Sequence, residues 1–104
     1  MVKFTQMFVR NDGKVLSQES VKTMLTEQAP GWGLGWALNK DGSFYHTGSS
    51  GTLTWGDPRT GVVGALFCQI QDYKTKAHES LKLRERFREA VDAAIAANES
   101  DPQR

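Results

Sequence analysis

The chain has 104 residues, with 13 Lys and Arg against 12 Asp and Glu, a net charge of +1 and 38% hydrophobic residues. That length suits a single domain spanning residues 1–104, with a real core but a narrow stability margin. The near-even charge balance leaves no basic stripe and excludes nucleic acid as a partner. No apolar run reaches the length of a membrane span. A single cysteine, Cys68, excludes an intrachain disulfide.

Residues 1–30 read as helical. Phe4, Met7 and Phe8 recur at helical spacing, and Asn11-Asp12-Gly13 is a turn signal that ends this piece. Ser17 is an N-cap candidate, with Leu16 and Val21 placed as a hydrophobic staple. Val21, Met24 and Leu25 form the apolar stripe of a second short helix, expected to stop at Pro30-Gly31.

The character then changes: nine of the ten glycines fall between Gly31 and Gly64. Trp32, Leu34, Trp36 and Leu38 alternate with small residues, a period of two that predicts a strand. Asn39-Lys40-Asp41-Gly42 is a hairpin turn. Ser43 to Gly48 reads as a second strand and Thr52 to Trp55 as a third. Asp57-Pro58-Arg59-Thr60-Gly61 turns the chain into a fourth strand, Val62 to Ile70. Short connections make the strands an antiparallel meander. The fourth is apolar on both faces, which suits a strand covered on both sides. Cys68 reads there as a small core residue.

Residues 76–98 read as a long helix with the stripe Leu83, Phe87, Val91 and Ile95, widened by Ala90 and Ala94. Arg84, Glu85, Arg88, Glu89 and Asp92 are expected on the solvated side. The polar tail 99–104, with Pro102, is expected to be disordered. The fold class is α+β: N-terminal helices, a meander of three to four strands, and a long C-terminal helix.

Gly31-Trp32-Gly33-Leu34-Gly35-Trp36, His46-Thr47-Gly48-Ser49-Ser50-Gly51-Thr52 and Trp55-Gly56-Asp57-Pro58 together resemble the C-terminal part of the serine β-lactamase-like superfamily, which includes penicillin-binding proteins, class C β-lactamases and related esterases. The resemblance runs from about Phe4 to Asn98. It implies a partial β-lactamase/transpeptidase-like fold and a serine-hydrolase active-site rim at His46-Thr47-Gly48, the position of the family's Lys-Thr-Gly or His-Thr-Gly triplet. By that resemblance His46 supplies charge or a hydrogen bond near the substrate. An imidazole delivers less positive charge than an ammonium group near neutral pH, and histidine points to the esterase-like branches. Thr47 is placed to bind a substrate carboxylate, and Gly48 to let a substrate backbone approach the strand edge. Ser49 is placed to offer a backbone N–H to an oxyanion, and Ser50 to line the same rim. On residue type alone, Thr47 is also an ordinary strand former and Gly48 a bulge residue, while Ser49 and Ser50 read as turn formers.

The family's Ser-x-x-Lys and Tyr-x-Asn motifs do not occur in this sequence. Acyl transfer needs an activated nucleophile, so the chain is expected to be inactive alone. Two alternatives stand beside a hydrolase portion: a non-enzymatic interaction or ligand-binding module, and one half of a split hydrolase completed by another chain. A small ester, amide or peptide is a substrate only where the site is completed. The strand Val62–Ile70 is the expected contact for a homodimer or companion chain. No cofactor is expected, and His78 has no second ligand at a metal spacing. No charged-then-apolar leader is legible at the start, and since members of the family are often periplasmic or cytoplasmic, the compartment stays open.

Overall fold

The computed structural model describes residues 1–48, 51–67 and 73–99, with side chains from 82 to 98 in the last stretch. In chain order these form α1 (Val2–Arg10), α2 (Gln18–Met24), β1 (Ala37–Leu38), β2 (Phe44–Thr47), β3 (Leu53–Asp57), β4 (Val62–Leu66) and α3 (Tyr73–Glu99). The four strands make one antiparallel sheet in the order β1-β2-β3-β4. The arrangement is the expected α+β class. Two compact units divide it: residues 1–48 with 53–65, and residues 49–52 with 66–104.

In the first unit, α1 ends where the turn signal places it. Asn11 adopts the left-handed conformation (φ 45°, ψ 49°) and its N–H bonds the Met7 carbonyl, closing one of the helix's open carbonyls. The buried line of α1 is Thr5 and Phe8, with Met7 and Val9 half-buried. Phe4 is 52% exposed, so the expected stripe is rotated outward at that residue. Its ring still meets Phe8 edge-on at 5.2 Å and lies nearly parallel to Trp36 at 6.2 Å. Phe8, Val21, Trp36 and Phe44 form the buried core.

Strand register decides what each residue faces. Phe44 pairs with Gly56, Tyr45 with Trp55, His46 with Thr54 and Thr47 with Leu53. Side chains of directly opposed residues share a face. Phe44, His46, Thr54 and Gly56 therefore lie on one face, and Tyr45, Thr47, Leu53 and Trp55 on the other. α1 packs on the first face, where Thr5 Oγ1 and Thr54 Oγ1 are 3.0 Å apart.

Ser17 caps α2 as expected, its side chain accepting from the Ser20 N–H at 3.1 Å. The helix ends at Met24, well before Pro30. The strand expected from Trp32 to Leu38 shortens to Ala37–Leu38, with isolated bridges Ala29–Trp32 and Trp32–Ala37 before it. Glycine produced the alternation without an extended chain. Gly31 and Gly35 take φ +78° and +80°, values that turn the backbone and that side-chain-bearing residues rarely adopt. The Leu34 N–H bonds the Met24 carbonyl at 2.8 Å. That contact presses Gly33 onto the end of α2 so closely that a Cβ there would collide with the Met24 oxygen. The segment is a loop that caps a helix.

The two hairpin turns are joined. Asp41 Oδ1 accepts from the Ser43 N–H at 2.9 Å and the Ser43 hydroxyl at 2.6 Å. Asp57, 3% exposed, accepts from the Arg59 N–H and from its guanidinium, the shortest at 2.8 Å. Arg59 also reaches Asp41 Oδ2 at 3.4 Å. The third strand runs on to Asp57, two residues beyond the expected Trp55, because the turn begins at the Asp57 carbonyl, which accepts from the Gly61 N–H at 2.9 Å. β4 covers Val62 to Leu66, all half-buried. The remainder of the expected fourth strand, Cys68 to Ile70, lies outside the described residues.

In the second unit, α3 contains the whole expected helix and begins three residues earlier, at Tyr73. Its half-buried positions are Arg84, Phe87, Arg88, Val91 and Ile95. Leu83 is 44% exposed, and Ala90 and Ala94 are exposed. The inward line thus includes two arginines expected on the solvated side. Arg84 Nε donates to the Gly51 carbonyl at 3.1 Å, and its apolar stem supports the burial. Arg88 pairs with Asp92 one turn on, at 3.5 Å. Glu99 belongs to the helix; the tail expected from 100 onward lies outside the described residues.

Candidate functional site

His46 and Thr47 close β2, and Gly48 follows it. Alternation along the strand separates the first two. His46 lies on the helix-bearing face and is exposed; Thr47 lies on the opposite face, half-buried, across from Leu53. Gly48 is half-buried. The triplet thus presents one ring on one face and one hydroxyl on the other. Ser49 and Ser50 lie outside the described residues.

β1 stops short of this end. It pairs with Phe44 and Tyr45, and its register goes no further. On the β1 side, the backbone of His46 and Thr47 therefore has no ladder partner from β1. An edge of this kind accepts an extended peptide or peptide-like group by strand addition.

The neighbour of His46 is Trp32. Their ring centroids are 6.0 Å apart and the planes cross at 71°, an edge-to-face contact. The three tryptophans differ in burial: Trp36 is 4% exposed, Trp55 0% and Trp32 46%. Tryptophans at strand spacing are more often core than stacking platforms, and Trp36 and Trp55 follow that rule. Trp32 departs because the glycine loop carries it to the side of β2, a path that residue spacing does not encode. No group of three metal-ligating side chains occurs among the described residues. None of their helices is long and apolar enough to cross a membrane.

The antiparallel sheet with α1 packed on one face makes this a small α+β domain. The Beta-lactamase family model matches residues 1–86. The chain belongs to the beta-lactamase family, within the serine β-lactamase-like superfamily. No curated protein matches it.

Proposed function

We propose that this chain is the C-terminal portion of a β-lactamase-related serine hydrolase and supplies the His46-Thr47-Gly48 wall of its active site. The observation that carries this reading is the position of the triplet at the end of β2, where β1 has ceased to pair. A substrate backbone laid along that edge meets the N–H and C=O groups of His46 and Thr47, and Gly48 lets it approach. His46 offers a hydrogen bond or charge to the substrate on one face of that edge, and the Thr47 hydroxyl offers a hydrogen bond on the other. The resemblance gives the Ser49 backbone N–H the part of an oxyanion donor and Ser50 a part in the same rim; both lie outside the described residues.

The nucleophile and its base come from elsewhere, because the sequence holds neither Ser-x-x-Lys nor Tyr-x-Asn. The chain alone is therefore inactive. Loss of the nucleophile in a serine protease removes a factor of about 10⁶. The test is hydrolysis of small esters and β-lactams by the purified chain, together with a fluorophosphonate label read by mass spectrometry. Neither turnover nor labelling is expected. Stoichiometric labelling at one serine would overturn the reading.

A further inference from the structure

We infer that Asp12-Gly13 is a site of covalent self-modification, at which the aspartyl residue isomerises to isoaspartyl through a cyclic imide, and that the fold protects Asp41-Gly42 from the same reaction. These are the two Asp-Gly pairs in the sequence. Glycine after aspartate offers a backbone nitrogen with no side chain to obstruct its approach to the carboxyl carbon. The pairs are closely matched. Both are exposed, and their glycines take φ +77° at Gly13 and +91° at Gly42. Each aspartate folds its side chain back over its glycine, with Oδ1 accepting from the N–H two residues on. The donor is Lys14 at 3.1 Å in one case and Ser43 at 2.9 Å in the other.

They differ in what else holds the reacting groups. The Gly42 N–H donates to the Asn39 carbonyl at 3.2 Å. Asp41 Oδ1 accepts a second bond, from the Ser43 hydroxyl at 2.6 Å, and Oδ2 lies 3.4 Å from the Arg59 guanidinium. A cation at that distance favours the ionised carboxylate, which lacks the hydroxyl that must leave. Among the described residues, the Gly13 N–H has no hydrogen bond and the Asp12 carboxyl has only the one from Lys14. In the first step the Gly13 nitrogen attacks Cγ of the protonated Asp12 carboxyl. The N–Cγ bond forms, the Cγ–OH bond breaks, and the hydroxyl leaves as water with the proton from nitrogen. In the second step water adds to the Asp12 main-chain carbonyl carbon, whose bond to nitrogen breaks, and a proton returns to nitrogen. One water is released and one consumed. The main chain now runs through Cγ and is one methylene longer between α1 and α2.

The test ages the full chain below its unfolding temperature, and in parallel in concentrated urea, and reads isoaspartate at each pair by peptide mapping with mass spectrometry. In the folded chain Asp12 is expected to convert about tenfold faster than Asp41, the scale of one hydrogen bond to a charged group. In urea the two rates should converge, because the contacts that distinguish the pairs are gone. Equal rates in the folded chain, or faster conversion at Asp41, would overturn the inference. So would a gap of the same size in urea, which would trace the difference to neighbouring sequence instead of the fold.

Discussion

Thr5 has one hydroxyl hydrogen, and its two oxygen contacts fix where that hydrogen goes. Its Oγ1 donates to the Met1 carbonyl at 3.1 Å and lies 3.0 Å from Thr54 Oγ1. The hydrogen between the threonines therefore belongs to Thr54. Thr5→Val leaves a buried donor on Thr54 without its acceptor and should cost about 1–3 kcal/mol, whereas Thr54→Val removes the donor and should cost about 1 kcal/mol. Urea denaturation of the two variants measures the difference, and a larger cost for Thr54→Val would mean the bond runs the other way. Gly64 is a second single-residue constraint. A Cβ there would overlap the six-membered ring of Trp55, which is fully buried. Gly64→Ala should destabilise the chain by about 1–3 kcal/mol through overpacking and change its near-ultraviolet tryptophan signal. A wild-type denaturation midpoint in this variant would show that the indole has room to move.

At the scale of elements, α2 is the one most dependent on its ends. It has seven residues, too few to be stable by propensity, so the burial of Val21, the Ser17 cap and the Met24–Leu34 bond hold it. Ser17→Ala should cost about 1 kcal/mol; an unchanged stability would mean that core packing and the loop fix the helix without the cap. Such ends were legible in the sequence, because a cap or a turn is a local event. Asn11, Ser17 and Asp57 each act within a few residues of themselves, as does Asp41 in its bonds to Ser43, while its contact with Arg59 reaches further. The loop from Gly31 to Trp36 was not legible. Trp-Gly-Leu-Gly-Trp satisfies a period of two whether the chain is extended or folded back, and the Met24 carbonyl that decides the matter comes from another element. The inward face of α3 was legible only in part. Phe87, Val91 and Ile95 lie on it, but the stripe gives no sign that Arg84 bonds the Gly51 carbonyl. For the candidate site, the triplet was visible as a motif and its place on a strand followed from alternation. The Trp32 neighbour depends on the path of the loop and was hidden.

For the whole molecule, β4 is the terminal strand in the sheet order. Among the described residues its sheet neighbour is β3, and we propose that its other edge is a template for association. A second copy or a companion chain is expected to pair there, and a two-fold antiparallel pairing satisfies both copies equally. Ala65→Lys should block it. Sedimentation at micromolar concentration, with amide exchange across residues 62–66, measures the outcome. A monodisperse monomer with those amides already protected would show that the edge is covered within the chain. The candidate site occupies the β1 side of β2, so association through β4 and ligand binding at His46 use different edges of one sheet.

The loop from Gly31 to Trp36 also divides freedom to vary from fixity at alternate positions. Gly31, Gly33 and Gly35 admit almost no replacement, two for their backbone angles and one for its contact with Met24. Trp32 and Leu34 stand between them and project outward, so their identities can change with little effect on the helix end or the sheet. A descendant of this sequence can acquire a different recognition chemistry beside His46 by exchanging one or two side chains on an unaltered frame. In laboratory evolution, diversity confined to residues 32 and 34 should yield mostly folded variants, whereas the same diversity at 31, 33 and 35 should yield few.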